Sequence, residues 1–142
     1  FRTLMVLSVL FISCDRNEDD GTNTATSSTA GFTWRENSTT VPVKTAGSSE
    51  VRTQYKSIFA FTGTTATSGT LFEFNLTGVS PATYTIGGSN AFYFSGNTAT
   101  PASGEVVITS NANGKASGTF KATWSSGTIT SVYGTFTDIP VN

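Results

Sequence analysis

Histidine is absent from the 142-residue chain, and cysteine occurs once, at Cys14. Histidine is the side chain most often used as a general base near neutral pH, and it is the commonest protein ligand of metals such as zinc. A single cysteine cannot form an internal disulfide, so a folded domain must be held together by its hydrophobic core. We therefore expect no metal site, no cofactor and no chemistry that depends on a histidine or thiol.

Charge is also scarce, since charged residues make up 12% of the chain and the net charge is −1. This share is about half of the usual value for soluble proteins. No basic surface for nucleic acid is expected from such a balance. Threonine, serine and glycine are abundant instead, which is typical of short strands joined by small polar turns and argues against a helical protein.

The acidic residues of residues 31–142 are few and lie on separate segments. They are Glu36, Glu50, Glu73, Glu105 and Asp138. A carboxylate-pair enzyme would need two of them in one cleft, and only Glu73 and Glu105 are candidates for that arrangement. The alternative is that both are solvated acids on strand faces, with Lys121 beside them. We expect no enzymatic activity.

The only long apolar run covers residues 4–12, behind Arg2 and before Ser13 and Cys14. Nine residues are too few for a membrane-spanning helix, which needs about 20. The run has the outline of a secretory signal peptide, formed by a helix. Because the chain opens at Phe1 rather than methionine, we expect the natural start to lie upstream.

The segment Phe11-Ile12-Ser13-Cys14 resembles the lipobox of bacterial lipoproteins, in which the cysteine thiol receives a diacylglycerol before cleavage. Phe11 departs from that pattern, because an aliphatic residue is usual at its position. The resemblance implies that residues 1–13 are a lipoprotein signal peptide and that Cys14 is lipidated and attached to a membrane. The alternative is an ordinary secretory signal that happens to contain a cysteine.

Four acidic residues closely follow the cysteine: Asp15, Glu18, Asp19 and Asp20. They resemble the acidic stretch behind the lipidated cysteine of Bacteroidota lipoproteins, which implies export to the cell surface of the outer membrane. The alternative is that Asp15 retains the protein at the periplasmic face of the inner membrane. Residues 21–30 are small and polar, so we expect residues 14–30 to form a disordered tether.

From residue 31 to 142, short runs alternate apolar and polar residues, and glycine, asparagine, serine or proline separates them. In the clearest run, Phe72, Phe74 and Leu76 share one face, and Glu73 and Asn75 share the other. Similar runs occur around residues 32–35, 55–61, 83–86, 92–94, 105–109, 119–124 and 128–136. The pattern predicts one all-β domain of about eight or nine strands, either an antiparallel β-sandwich or a small β-barrel.

Two dipeptides are predicted to form hairpin turns: Asn113-Gly114 and Ser126-Gly127. Ile129 and Phe136 are an odd number of residues apart, which would place them on opposite faces of one strand. This spacing predicts a β-bulge at Gly134. The stretch 38–50 contains Pro42 and little alternation, so we expect an edge strand there at most.

Three segments of the C-terminal half, residues 104–109, 117–120 and 133–136, are similar to a β-domain of small flavobacterial lipoproteins. The likeness covers roughly residues 70–140 and consists of turn glycines and core phenylalanines. It implies a fold and a lineage, and it supplies no catalytic residues.

Four aromatic side chains are candidates for a ligand-binding face: Trp34, Tyr55, Tyr93 and Tyr133. On the solvent side of a sheet they would form a platform for a glycan or a peptide; otherwise they pack in the core or at its rim. The sequence thus predicts an envelope lipoprotein with a non-enzymatic binding or structural domain. A surface-fibre subunit is the other alternative, and it predicts edge-strand addition through an exchangeable terminal strand.

Overall fold

The structure, a computed structural model, describes residues 30–142, which contain ten β-strands and no helix. The strands are β1 (Gly31–Glu36), β2 (Lys44–Thr45), β3 (Ser48–Arg52), β4 (Ser57–Phe61), β5 (Leu71–Asn75), β6 (Ala82–Thr85), β7 (Ala91–Phe94), β8 (Ser103–Ala112), β9 (Lys115–Thr123) and β10 (Ser131–Pro140). The expected number of eight or nine was too low. The stretch 38–50 contains the two-residue strand β2 and the start of β3, and both are edge strands.

The strands form two antiparallel sheets that are not closed into a barrel. The larger sheet has the order β2-β1-β10-β9-β8-β6, and the smaller has the order β3-β4-β5-β7. Buried side chains from both sheets belong to one hydrophobic cluster. The domain is therefore a β-sandwich, which confirms the all-β prediction and corrects the barrel alternative.

The core is rich in phenylalanine, as the alternating runs predict. Phe72, Phe74 and Leu76 are buried, and Glu73 lies on the opposite face of β5. The ring of Phe32 on β1 lies 5.1 Å from that of Phe72 across the sandwich, centroid to centroid. Aromatic contacts of this kind join the two sheets and add to the stability from apolar burial.

Two glycine–phenylalanine pairs lie side by side in the middle of the larger sheet. Phe120 on β9 is opposite Gly134 on β10, and Gly118 is opposite Phe136. A Cβ atom at Gly134 would lie 2.6 Å from the Phe120 ring, and one at Gly118 would lie 2.4 Å from the Phe136 ring. Each ring therefore occupies the space beside the opposite glycine, which explains the two Gly-Thr-Phe segments.

The bulge expected at Gly134 is not present, because the pairing of β9 with β10 runs unbroken through this residue. The register shifts between Phe136 and Ile139, where Asp138 has a φ of 50°. Ile129 precedes β10, so its spacing from Phe136 does not determine the face of any strand. The prediction was wrong because it counted a loop residue as part of the strand.

The two predicted hairpin turns differ in outcome. Asn113-Gly114 alone joins β8 to β9, with φ values of 52° and 72°. Positive φ at both residues is the signature of a type I′ turn, so this prediction is confirmed. Ser126-Gly127 lies within the longer connection 124–130 between β9 and β10 and is not a two-residue hairpin.

The last residues of the chain cover the edge of β3. Val141 forms a parallel bridge with Val51. The amide of Asn142 donates a hydrogen bond to the Val51 carbonyl at 2.8 Å, and the Thr53 amide donates to the Asn142 carbonyl at 2.8 Å. The last strand, β10, is an inner strand between β1 and β9. The surface-fibre hypothesis, with its exchangeable terminal strand, stays a prediction.

The signal peptide, Cys14, the acidic cluster and the tether up to residue 29 lie outside the described residues. Within residues 30–142, no helix has the length and apolar character required to cross a lipid bilayer. The membrane placement therefore rests on the sequence alone.

Candidate ligand-binding groove

A groove of about 400 Å³ lies on the outer face of the six-stranded sheet. Six of its lining side chains come from the three adjacent strands β1, β10 and β9: Thr33, Arg35, Thr119, Lys121, Tyr133 and Thr135. They point outward because the alternate residues of these strands fill the core. Val43, in the loop before β2, and Glu105 on β8 also line the groove, together with three residues that alternate with the outward-facing ones: Trp34, Phe120 and Gly134.

The strand register arranges the polar side chains of the groove in two parallel rows. One row runs across four strands through Arg35, Tyr133, Lys121 and Glu105, each residue paired with the next. The other consists of threonines, since Thr33 pairs with Thr135 and Thr135 pairs with Thr119. Neighbouring strands are about 4.8 Å apart, so each row presents polar groups at that spacing.

The threonine row contributes hydroxyl groups to the lining of the groove. The Oγ1 atoms of Thr33 and Thr135 are hydrogen-bonded at 3.1 Å. A threonine hydroxyl has one donor and two acceptor positions, so this bond leaves capacity for a ligand.

Tyr133 is the aromatic residue of the groove that lies on the outer face of the sheet, next to the buried Val132. Its hydroxyl oxygen is buried and has no hydrogen-bond partner among the described residues. A buried polar group left in this way costs about 1–3 kcal/mol, and such groups are rare in folded proteins. Tyr133 therefore contributes an unsatisfied hydroxyl group to the lining of the groove.

Arg35 lies beside Tyr133 on the neighbouring strand. Its Nε atom donates a hydrogen bond to the carbonyl oxygen of Val41 at 3.0 Å, in the loop that leads to Val43. Among residues 30–142, no carboxylate lies within 4.0 Å of its guanidinium group. The group is therefore held in place and keeps its positive charge unpaired.

Lys121 and Glu105 form an ion pair across β9 and β8, with Nζ and Oε1 3.0 Å apart. This is the placement beside Lys121 that the sequence suggested for an acidic residue. Both side chains are well exposed, so the pair contributes little to stability. With Arg35, the groove contains two cations and one carboxylate.

The four predicted ligand-face aromatics do not lie on one surface. Trp34 lines the groove but is 1% exposed and packs in the core, with its ring 5.0 Å from that of Phe72, as the core-packing alternative describes. Tyr55 is 67% exposed in the turn between β3 and β4. Tyr93 is 40% exposed on the outer face of the smaller sheet, and Tyr133 lies in the groove of the larger one.

Glu73 and Glu105 lie on the outer faces of different sheets, with the core between them. They cannot flank one substrate or share one proton. Within the part of the chain that the structure describes, no three histidine, cysteine, aspartate or glutamate side chains come together to hold a metal ion.

Arg35 and the threonine row were missed by the sequence analysis. The threonines carry a recognisable signal, because each one is next to a core phenylalanine on its strand: Phe32-Thr33, Thr119-Phe120 and Thr135-Phe136. A residue beside a core position on a strand must point outward. Their assembly into one row depends on pairing between distant strands, which no local pattern reveals.

Comparison with known proteins shows no family for this chain. The chain matches no protein-family model, no curated protein and no solved structure.

Proposed function

We propose that this protein is a lipid-anchored, non-enzymatic glycan-binding module of a bacterial cell envelope, and that the groove around Tyr133 is its binding site. The observation that carries the proposal is the buried Tyr133 hydroxyl without a partner. A domain with a purely structural role gains nothing from such a group, whereas a binding site gains a hydrogen bond when the ligand arrives.

The chemistry of the groove favours a sugar. A sugar presents many hydroxyl groups at its edge, and the row of Thr33, Thr135 and Thr119 offers hydroxyl partners in return. The volume of about 400 Å³ falls within the range of small-ligand sites. A peptide bound as an added strand would need a sheet edge, whereas this groove lies on a sheet face.

The placement at a membrane rests on the sequence of residues 1–30. Acylation of Cys14 would anchor the protein, because each buried methylene of an acyl chain contributes about 0.8 kcal/mol. A flexible tether of residues 14–30 would reach roughly 20 Å from the lipid. The acidic residues after Cys14 favour the cell surface of the outer membrane, with the inner membrane as the alternative.

The proposal is tested by calorimetry and thermal unfolding of the full chain in mild detergent with a panel of oligosaccharides. A ligand at 100 times its dissociation constant stabilises its protein by about 2.7 kcal/mol, which gives a clear rise in melting temperature. We expect at least one oligosaccharide to bind, and Tyr133→Phe to weaken that binding by about tenfold through the lost hydrogen bond.

Tyr93→Phe is the matched control, because it removes a hydroxyl from the opposite sheet. We expect it to bind as the unmodified protein does. If no oligosaccharide binds, or if the two variants bind equally well, the groove is not a glycan site.

A further inference from the structure

We infer that the groove recognises an acidic glycan, and that the guanidinium group of Arg35 binds the carboxylate or sulfate of that ligand. This inference rests on the proposed function and specifies the chemical class of the sugar. It is carried by the position, the hydrogen bonding and the unpaired charge of Arg35.

The geometry of Arg35 suits an anion. Its Nε atom donates a hydrogen bond to the Val41 carbonyl oxygen, and this bond fixes the side chain against the loop before β2. The two terminal nitrogens of the guanidinium group are left to bind a ligand, and their planar arrangement can donate two hydrogen bonds to a pair of carboxylate or sulfate oxygens. A side chain already held in place loses less conformational freedom when it binds.

The charge around Arg35 also favours an anion. Three cations of the described region have carboxylate partners: Lys44 with Glu36, Arg52 with Glu50, and Lys121 with Glu105. Arg35, Lys56 and Lys115 have none, but both lysines are exposed and lie outside the groove. Arg35 lines the groove and is only partly exposed, so its charge is less screened than that of a fully solvated side chain. The one carboxylate of the groove, Glu105, is already paired with Lys121.

The neighbours of Arg35 indicate that the anion belongs to a sugar. Tyr133 is its direct cross-strand partner, so its hydroxyl and the guanidinium group serve the same end of a ligand. The row of Thr33, Thr135 and Thr119 is two residues further along the strands, about 7 Å away. A ligand that contacts both rows carries an acidic group at one end and hydroxyl groups along its length.

The first experiment compares matched probes on the full chain in detergent by calorimetry. The carboxylate probe is an oligogalacturonate, and its neutral partner is the same oligosaccharide as a methyl ester. The sulfate probe is a sulfated dextran oligosaccharide, compared with unsulfated dextran and with inorganic sulfate alone. We expect one acidic probe to bind at least about tenfold more tightly than its neutral partner, with an affinity that falls as salt is added.

The second experiment changes Arg35. In Arg35→Gln, we expect the ratio of acidic to neutral affinity to fall to about one, because the positive charge is lost. In Arg35→Lys we expect an intermediate ratio, because the charge stays but the two paired N–H donors of the guanidinium group are lost. Arg52→Gln, on the opposite sheet, is the matched control and should keep the full ratio. Thermal unfolding of each variant confirms that it is folded.

The outcomes separate the two proposals. If neutral and acidic probes bind equally well, the acidic-glycan inference is wrong and the glycan-binding function stands. If no sugar binds, both fail. If inorganic sulfate binds as tightly as the sulfated sugar, then the sugar is not recognised and the inference is overturned.

Discussion

The hydroxyl group of Tyr133 should reduce the stability of the free domain, because it is buried without a partner among the described residues. We expect Tyr133→Phe to raise the free energy of unfolding by about 1 kcal/mol or more, since the desolvation cost of the hydroxyl disappears. Urea unfolding of the ligand-free protein measures this change. Tyr93 is exposed, so we expect the free energy of unfolding of Tyr93→Phe to stay within about 0.5 kcal/mol of the value for the unmodified protein. A loss of stability in Tyr133→Phe would show that the hydroxyl has a partner in solution.

Glu50 should make the stability of the smaller sheet dependent on pH. The hydrogen bond from Arg52 lowers the pKa of Glu50 below its ordinary value of 4.5, and the Asn142 side chain, which donates at 2.7 Å, lowers it further against the opposing effect of burial. Because the pKa is lower in the folded state, the stabilisation is complete above the ordinary value. It is lost as the pH falls through the folded-state pKa.

The variant Glu50→Gln tests whether this stabilisation is lost as the pH falls. It should be less stable than the unmodified protein at pH 7, and the difference should shrink as the pH falls below about 4, where the carboxylate of the unmodified protein becomes protonated. Urea unfolding of both proteins across this pH range measures the difference in their free energies of unfolding. Glu73→Gln, which removes a carboxylate without an arginine partner, is the control. A difference that stays constant with pH would contradict the role of the ion pair.

At the scale of single residues, the sequence allowed some positions to be predicted and not others. Trp34 lies two residues after the core residue Phe32 on β1, so strict alternation places both side chains on the same, buried face of the strand. Tyr133 follows the buried Val132, and the same argument places it outward. The burial of its hydroxyl depends on neighbours that β1 and β9 bring to the groove, and no local pattern carries that information.

Among the elements, the pairing of β9 with β10 depends on its glycines. A Cβ at Gly134 would lie 2.6 Å from the Phe120 ring and 2.0 Å from the Thr33 carbonyl oxygen. We expect Gly134→Ala to destabilise the domain by about 3 kcal/mol, at the upper end of the usual cost of overpacking. Thermal unfolding measures the loss.

A double variant tests how much of this loss comes from the contact of the added methyl group with the Phe120 ring, and how much from its contact with the Thr33 carbonyl oxygen. Gly134→Ala combined with Phe120→Leu removes the ring but leaves the Thr33 carbonyl oxygen, so we expect the double variant to lose less stability than the sum of the two single changes. Simple additivity of the two losses would show that the ring does not depend on the glycine.

The strands themselves were largely predictable, and their pairing was not. Alternation placed Phe72, Phe74 and Leu76 on the buried face of β5, and Asn113-Gly114 indicated the turn after β8, because both signals are local. β2 has two residues, too few for any alternation. The rows of the groove join β1 to β10, which are about a hundred residues apart in the chain, so only the folded sheet brings them together.

At the scale of the whole molecule, alternation predicts an all-β domain but does not distinguish a sandwich from a barrel, since both bury one face of each strand. The two-sheet arrangement gives the larger sheet a broad outer face, on which the groove lies. Strand β1, which carries Thr33 and Arg35, begins at Gly31, next to the predicted tether. We therefore expect a tethered domain to hold its groove near the membrane that anchors it.

The anchor itself is tested by changing Cys14. In a bacterial host that acylates lipoproteins, the unmodified chain should incorporate an alkyne-labelled fatty acid and sediment with membranes, since acyl chains hold a protein at the bilayer. Cys14→Ser removes the thiol that would receive the lipid, so we expect loss of the label and release from the membrane fraction. Ser13→Ala, which keeps the thiol and a small neighbour, should retain both.

Protease treatment of intact cells then distinguishes the two membranes, because only a surface-exposed domain is digested. Digestion of the unmodified chain supports export directed by the acidic residues after Cys14, and protection of the chain supports retention at the inner membrane through Asp15. A label that persists in Cys14→Ser would show that lipid is attached elsewhere. An unmodified chain that is secreted without label would show that residues 1–13 are an ordinary signal peptide, and the binding domain would then act free of the envelope.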